Sequence, residues 1–282
     1  MRLFGRLPLR LIHALGAPLG WVVYLADRRY ARRLRENLQA SGIASDPAAY
    51  RCLLRRAIAA SGKGFLEVFA VWFRPDADVR KLVHGVQGWE YVAAARAAGK
   101  GVIILTPHLG CFEIAGWYCG AQFPFTTLYR PPKLAWLEPP MHAGRARGRV
   151  TLATTDYAGV KKLLAALKRG EAIGALPDQV PSLGEGAWAD FFGRPAYTLT
   201  LIARLQQKTG AAVLFLYAQR LAAGQGYAIH CLPPLPTLGE NPEQAARQIN
   251  AAVEEIVRAC PEQYLWSYNR YKGMQASESA PL

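Results

Sequence analysis

The feature that most constrains the fold is an apolar run from Val102 to Leu105 that leads to a histidine. Gly101 and Pro107 bound the run, and no polar residue interrupts it, which is the pattern of a parallel strand covered on both faces. In α/β sheets, ligands bind at the carboxyl ends of the strands. The sequence therefore predicts a buried strand that delivers His108 to a cleft.

A carboxylate follows this histidine after five residues, at Glu113. Five residues within one helix separate two side chains by about 140° around the axis, so a direct pair requires His108 in the loop before the helix. Pro107 and Gly110 favour such a loop, and they put Glu113 on the first turns of a helix that runs to about Cys119. We expect the carboxylate to orient the imidazole and to stabilise its protonated form.

Strand and helix patterns alternate along most of the chain. Further strands are predicted at 83–89 including a turn, 125–129, 151–153, 172–176, 212–218 and 227–232, the last of them antiparallel to its predecessor. Helices are predicted at 28–40, 48–72, 91–98, 159–169, 198–209 and 242–258. This alternation predicts an α/β fold, with a single layered domain in which helices cover a mostly parallel or mixed central sheet.

The N-terminal segment predicts a membrane-associating helix in addition to this domain. Residues 11–26 carry no formal charge, and arginines flank them on both sides. A transmembrane helix needs about 20 residues, so we favour a monotopic anchor with Trp21 and Tyr24 at headgroup depth. An ordinary core helix is the alternative. The expected division is an anchor and basic helix over 1–34, a catalytic domain over 35–272 and a disordered tail over 273–282.

Charge and cysteine content restrict the partners. The formal net charge is +14, of which residues 1–56 contribute +8 through eleven arginines against three acidic residues. This distribution favours the anionic bilayer as a partner, and because no nucleic-acid-binding motif accompanies it we expect no nucleic acid. The five cysteines lack metal-ligand spacing, which predicts reduced thiols and no metal site.

Four short motifs carry a resemblance to a known family. They are His108-x-x-x-x-Glu113, Leu176-Pro-Asp-Gln179, Gly184-Glu-Gly186, and Phe191-Phe-Gly-Arg-Pro195 with Thr198-Leu-Thr200 after it. In this order and spacing the chain resembles the late acyltransferases of lipid A biosynthesis, a branch of the lysophospholipid acyltransferase superfamily. The similarity extends from 35–37 to 261–266.

The resemblance implies an enzyme that moves a fatty acyl chain from acyl carrier protein to a hydroxyl of a lipid A precursor. It assigns the catalytic His-acid dyad to His108 and Glu113, and it implies anchoring at the cytoplasmic face of the bacterial inner membrane. A histidine side chain, with an unperturbed pKa near 6.5, suits the removal of a hydroxyl proton at neutral pH. We expect direct attack on the thioester without an acyl-enzyme, because no Gly-x-Ser-x-Gly elbow is present. No metal or redox cofactor is expected, since a His-Glu dyad and arginine side chains suffice for thioester chemistry. Acyl carrier protein thioester is the expected co-substrate.

Several polar residues are predicted to bind substrate. Arg194 lies in a Gly-Arg-Pro turn where its guanidinium can hold a phosphate. The basic segment after the strand at 125–129 offers further candidates, at Arg130, Arg145, Arg147 and Arg149. Asp178 and Gln179 are expected at the same edge of the cleft. We interpret Asp178 as structural rather than catalytic, since an Asp after Pro commonly caps its own turn.

Other functions stay open at this point. A same-fold acyltransferase with another acceptor, such as a lysophospholipid, an amino acid lipid or a phosphatidylinositol mannoside, fits the same motifs. So do a non-catalytic membrane lipid-binding protein and a thioesterase. The sequence predicts neither the acyl chain length nor the acceptor hydroxyl, nor the oligomeric state.

Overall fold

The computed structural model describes residues 2–132 and 134–273, and a seven-stranded sheet lies at its centre. In chain order the strands are β1 (Val83–Gln87), β2 (Val102–Leu105), β3 (Phe125–Tyr129), β4 (Val150–Thr154), β5 (Ala172–Ala175), β6 (Gly186–Phe191), β7 (Arg194–Leu199), β8 (Ala212–Arg220) and β9 (Tyr227–Cys231). The large sheet has the order β1-β9-β8-β2-β5-β3-β4. Its neighbouring strands are parallel except β8 and β9, which are antiparallel.

Helices cover both faces of the sheet. They are α1 (Arg2–Gly5), α2 (Leu9–Ala26), α3 (Arg28–Ala40), α4 (Pro47–Phe73), α5 (Asp76–Arg80), α6 (Trp89–Ala97), α7 (Phe112–Gln122), α8 (Glu138–Arg145), α9 (Tyr157–Lys168), α10 (Leu201–Thr209) and α11 (Pro242–Ala259). On one face of β2, Ile103 belongs to a core cluster that also contains Leu163 of α9 and Ile202 of α10. On the other face, Ile104 belongs to a second core cluster that contains Ile114 of α7. The predicted α/β fold class is confirmed.

Side-chain caps define where the long helices begin. Asp46 accepts hydrogen bonds from the backbone N–H groups of Ala48 and Ala49, and Pro47 occupies the first turn of α4. Asp27 caps α3 and Asp156 caps α9 in the same way. These caps satisfy backbone donors that have no partner within a helix. They explain why α2 and α3 are separate helices despite having only Asp27 between them.

The N-terminal helices belong to the same body as the sheet. Ile12 of α2 and Leu34 of α3 are fully buried in the two core clusters. The predicted boundary between residues 34 and 35 falls inside α3. Of the predicted tail 273–282, all but Gly273 lies outside the described residues.

A buried ionic network joins α2 to α4 and to the sheet. Glu67 is fully buried, and its carboxylate accepts hydrogen bonds from Arg220 at 2.5 and 2.7 Å and from Tyr227 at 3.0 Å. His13 of α2 lies 3.0 Å from the same carboxylate. Burial alone would raise the pKa of Glu67, but Arg220 and His13 outweigh it and lower the pKa to about 2. Glu67 is therefore ionised throughout the neutral range.

A β-hairpin lies where the sequence suggested a loop and the start of a helix. β6 and β7 form a two-stranded antiparallel sheet, joined at Phe192 and Gly193. Both turn residues have positive φ, at 50° and 70°, which is the geometry of a two-residue hairpin turn. The helix predicted at 198–209 begins only at Leu201, because Thr198 and Leu199 pair with β6.

Candidate functional site

Two neighbouring parallel strands bring His108 and Asp178 together. β2 and β5 pair in register, with Leu105 opposite Ala175. His108 follows its strand by three residues and Asp178 follows its own by three. Because parallel strands end at the same edge of a sheet, equal offsets bring the two side chains into contact.

The hydrogen bonds of His108 define which ring nitrogen carries the proton. Nδ1 lies 2.8 Å from Oδ1 of Asp178, and the backbone N–H of His108 donates to Oδ2 of the same carboxylate at 2.8 Å. An ionised carboxylate can only accept, so Nδ1 carries the proton and Nε2 presents a lone pair. The side-chain amide of Gln179 lies 3.0 Å from Nε2. His108 is thus prepared to accept a proton at Nε2.

Asp178 remains ionised beside this histidine although it is only 3% exposed. Its burial would raise the pKa of the carboxyl group, but the interaction with His108 is stronger, so the pKa lies below the ordinary value of 3.8. An ionised Asp178 stabilises the imidazolium that forms when Nε2 takes up a proton. The sequence predicts that Asp178 caps its own turn, whereas both carboxylate oxygens contact His108. A substrate-binding role for Asp178 stays a prediction.

Glu113 contacts other partners than the predicted ones. It lies on the first turn of α7 as expected, and its carboxylate accepts hydrogen bonds from Trp72 at 3.0 Å and from Nε of Arg145 at 3.0 and 3.1 Å. Nη2 of Arg145 completes a forked ion pair. The predicted hydrogen bond between Glu113 and His108 is therefore replaced by one between Asp178 and His108. A catalytic role for Glu113 stays a prediction. Glu113 and His108 line the same cavity.

Two cavities meet at His108. The first has a volume of about 530 Å³ and runs between α2 and α4, where Leu19, Val23 and Phe65 contribute to a mainly apolar lining. The second has a volume of about 440 Å³ and lies on the side of β5 and α10. His108, Phe112 and Arg145 line both. A group held in either cavity can therefore reach Nε2 of the histidine.

The predicted arginines divide between this site and other places. Arg130 and Arg145 line the second cavity, and Arg204 of α10, which sequence reasoning missed, lies there too. Burial opposes the charge of Arg145, but Glu113 outweighs it and raises the pKa of the guanidinium. Arg204 lies in a predicted amphipathic helix, so its position on the polar side of that helix was the available signal.

The other three predicted arginines line neither cavity at His108. Arg147 donates to the backbone carbonyls of Val71 and Arg74 and pairs with Asp76, so it holds the corner between α4 and α5. Arg149 is exposed and donates to the carbonyl of Gln122. Arg194 stacks on the ring of Tyr271, with 3.9 Å between the guanidinium carbon and the ring centroid. The structure therefore does not bring them to His108, and their binding roles stay predictions.

The cysteine nearest to His108 in sequence is not activated as a nucleophile. Cys111, three residues after His108, is 2% exposed, and burial raises the pKa of its thiol well above the ordinary value. Cys52 is exposed, but it lies near the start of α4. Within residues 2–132 and 134–273, no group of three or more His, Cys, Asp or Glu side chains is arranged to hold a metal ion.

His108 and the buried Asp178 thus form a bonded pair at the carboxyl edge of the sheet, where two cavities meet, and comparison with known proteins shows that a chain with this site is an acyltransferase. The chain belongs to the bacterial lipid A biosynthesis acyltransferases, whose family model matches residues 1–273. The predicted family is thereby confirmed.

Three relatives from Escherichia coli (strain K12) are similar over most of the chain. A lipid A biosynthesis lauroyltransferase is 28% identical over 273 residues, which cover 95% of this chain and 87% of the relative. A lipid A biosynthesis palmitoleoyltransferase is 29% identical over 78% of this chain and 71% of its own. A lipid A biosynthesis myristoyltransferase is 27% identical over 69% and 61%.

Proposed function

We propose that this enzyme transfers a fatty acyl chain from an acyl carrier protein thioester to a hydroxyl group of a lipid A precursor, with His108 as the general base. The observation that carries the proposal is the bonded pair of His108 and Asp178 at the junction of two cavities. The names of the relatives support lipid A biosynthesis as the pathway. They disagree on the acyl group, so the chain length is left open.

The reaction needs one proton acceptor at the attacking hydroxyl. Nε2 of His108 takes the hydroxyl proton as the oxygen attacks the thioester carbonyl. The tetrahedral intermediate then expels the thiolate, which takes the proton back from the imidazolium, so an ester and a free thiol are formed. Asp178 holds Nδ1–H and stabilises the positive charge between these two steps.

The two cavities suit the two parts of this reaction. The apolar cavity between α2 and α4 fits a fatty acyl chain, because apolar surface is removed from water when the chain enters. The second cavity has Arg130 and Arg204 in its lining, and arginine binds phosphate through paired hydrogen bonds. We therefore assign the acyl chain to the first cavity and the phosphorylated acceptor to the second.

Transfer proceeds directly, without an acyl-enzyme. The burial of Cys111 and the high pKa of its thiol oppose a thiolate nucleophile beside His108. Ser61 and Ser267 line the first cavity, but neither lies in a nucleophile elbow. Incubation with acyl carrier protein thioester alone is expected to leave the intact mass of the enzyme unchanged. An added acyl mass that chases into product would contradict direct transfer.

The donor and the membrane context also belong to the proposal. An acidic carrier protein would dock on a chain of net charge +14 at a rate that falls with ionic strength. α2 is long and apolar enough to interact with a bilayer. We place the enzyme at the cytoplasmic face of the bacterial inner membrane, where a cytosolic carrier protein and a membrane lipid can meet.

The test is a transfer assay with the full chain in detergent. Labelled acyl carrier protein thioesters of several lengths are offered with a lipid A precursor or with a lysophospholipid, for wild type and His108→Ala. We expect label in the lipid A precursor only, and loss of transfer in the variant. His142→Ala serves as the matched control, since His142 is exposed on α8 and lines neither cavity at His108.

Each alternative has its own outcome in this assay. Label in the lysophospholipid would overturn the acceptor, and label in free fatty acid despite an acceptor would indicate a thioesterase. Transfer by His108→Ala at the wild-type rate would overturn the base. Transfer to neither lipid with any donor would overturn the proposed reaction.

A further inference from the structure

α2 presents two opposite sides of different character. Leu9, Ile12, His13, Gly16 and Gly20 are buried against the rest of the protein. The opposite side exposes large apolar residues, at Leu11, Leu15, Val22 and Leu25. At 100° per residue these four fall within a stripe of about 80°. The helix therefore has one apolar stripe against protein and another that the described protein leaves uncovered.

The buried side fixes α2 along the surface of the catalytic domain. A Cβ atom added at Gly62 of α4 would lie 2.1 Å from the carbonyl oxygen of Gly16 and 2.4 Å from the backbone nitrogen of Gly20, so the two helices touch backbone to backbone. His13 additionally pairs with the buried Glu67. A helix that left this position to cross a bilayer would abandon both contacts and leave part of the Glu67 network unpaired.

Length alone does not decide between crossing and lying flat. The 18 residues of α2 extend for about 27 Å, which is close to the roughly 30 Å of a hydrocarbon core. The burial of one side of α2 and the exposure of the other distinguish the two orientations. A spanning helix would expose its whole circumference to lipid, including the polar side chain of His13, whereas a helix in the interface exposes only one side.

Basic residues lie where headgroups would be. A shallow cavity of about 490 Å³ at the junction of α2 and α3 is lined by Tyr24 and Leu25 together with Arg28, Arg29, Arg32 and Arg35. Two carboxylates lie close in sequence to these arginines. Asp27 is bonded to the backbone of α3, and Glu36 lies 3.8 Å from Arg32 in a solvent-exposed ion pair. This cluster of guanidinium groups next to the exposed apolar stripe fits phosphate groups at the surface of a bilayer.

The apolar cavity that reaches His108 opens next to this stripe, since Leu19 and Val23 lie about 80° and 120° around α2 from Leu11. Leu19 and Val23 of α2 and Phe65 of α4 line the apolar cavity that reaches His108. Val23 and Phe65 are also exposed, Phe65 to 61%. A bilayer that covers the apolar stripe of α2 together with the exposed ring of Phe65 would therefore lie against the entrance between α2 and α4.

We infer that α2 lies in the plane of an anionic bilayer without crossing it, with its exposed stripe in the acyl region and the four arginines of the cavity at α2 and α3 on lipid phosphates. This docking sets the apolar cavity beside His108 against the membrane. The inference concerns the surface and not the reaction, so it stands or falls independently of the proposed donor and acceptor.

Depth measurements along α2 test the orientation. Single cysteines are introduced as L11C, L15C, V22C and L25C in a full-length Cys52→Ala background, where the other four native cysteines are buried and their thiol pKa values are raised. Each is labelled with a maleimide fluorophore and quenched by lipids that carry nitroxides at known depths. Vesicles contain phosphatidylglycerol and phosphatidylcholine.

An in-plane helix gives the four labels the same depth. A spanning helix gives a monotonic change from Leu11 to Leu25 of about 21 Å, for 14 residues at 1.5 Å each. The graded result would overturn the inference, and so would labels that no membrane-bound nitroxide quenches.

Vesicle binding tests the arginine cluster. Each arginine at an anionic surface is worth roughly a fivefold gain in partitioning, so R28Q/R29Q/R32Q is expected to bind phosphatidylglycerol vesicles about 100-fold more weakly. The matched control K161Q/K162Q/K168Q removes the same charge from α9, which packs at β3, β4 and β5. Equal losses in the two variants would mean that only net charge matters and would overturn the headgroup assignment. No loss in the arginine variant would overturn it as well.

Discussion

Replacement of Asp178 by Asn is the sharpest perturbation of the site, because it retains shape while removing one acceptor. The carboxylate accepts from two donors of one residue, the backbone N–H and the Nδ1–H of His108, each at 2.8 Å. An Asn side chain has a single acceptor oxygen. If that oxygen accepts from the backbone N–H, the amide donates to Nδ1 and the ring proton moves to Nε2, the atom that we propose as the base.

The expected cost follows from this change of tautomer and from the lost negative charge. In a serine protease, the corresponding Asp→Asn change reduces kcat about 10⁴-fold. We expect Asp178→Asn to lower kcat/KM by about 10³- to 10⁴-fold, which corresponds to roughly 4 to 5.5 kcal/mol in the barrier. The assay is the initial rate of label transfer from acyl carrier protein thioester, together with thermal unfolding to verify that the variant is folded.

Glu113→Gln is the matched comparison, since it also replaces a buried carboxylate by its amide. Glu113 contacts Arg145 and Trp72, so we expect this variant to lose about 10-fold through a raised KM, as one charge-assisted hydrogen bond contributes roughly 1.5 kcal/mol. The reasoning is refuted if Asp178→Asn retains near wild-type kcat while Glu113→Gln loses 10³-fold or more. That result would show that His108 turns to Glu113 during the reaction, as the sequence motif suggested.

Three further predictions concern the framework of the site. Glu67→Gln leaves Arg220 without a charged partner and is expected to destabilise the fold by about 3 to 5 kcal/mol in denaturant titration. Because the pKa of Glu67 is lowered from 4.5 to about 2, its stabilisation is complete above pH 4.5 and is lost as the pH falls toward 2, and the variant should lack this pH dependence. Gly62→Val should separate α2 from α4 and lower the melting temperature, whereas the control Gly64→Ala, with only the end of the Arg220 side chain 3.3 Å away, should not. Arg145→Lys loses the fork to Glu113, and we expect a raised KM for the acceptor with a smaller change in kcat.

Much of the fold was accessible from the sequence because its elements are locally marked. The apolar runs at 102–105 and 172–175 are bounded by Gly, Pro or charged residues, and both are buried strands. Asp46-Pro47 is a recognisable helix start. The hairpin of β6 and β7 was missed although its first strand alternates, with Ala187, Ala189 and Phe191 buried. Its turn has Phe at a position of positive φ, where Asn or Asp is usual.

The site was less accessible, because its partners depend on strand order. The motif spacing suggested Glu113 as the acid for His108, whereas Asp178 is the one bonded. His108 and Asp178 each follow their strand, β2 or β5, by three residues. These equal offsets predict the contact only if β2 and β5 are known to be neighbours in the sheet. No local pattern states that β5 lies beside β2 while β3 lies beyond β5.

The arginine cluster shows the same limit on a smaller scale. Arg145, Arg147 and Arg149 alternate with small residues, and the sequence alone ranks none of them. α8 ends at Arg145, which points into the cavities, while Arg147 turns toward the end of α4. The end of α8 thus places Arg145 at the cavities and leaves Arg147 in a structural role at the end of α4.

Remote backbone contacts complete the positioning of the histidine. The carbonyl of His108 accepts from the N–H of Leu265, the N–H of Gly110 donates to the carbonyl of Gln263, and the loop is held to β8 through Ala218. Gly110 has a φ of 61°, and a Cβ atom there would lie 2.0 Å from the carbonyl oxygen of Ala218, so glycine is required for this approach. Since displacements of about 1 Å can cost a hundredfold in rate, the proposed role of His108 as the base requires a fixed loop, and distant segments hold this loop together with its own strand.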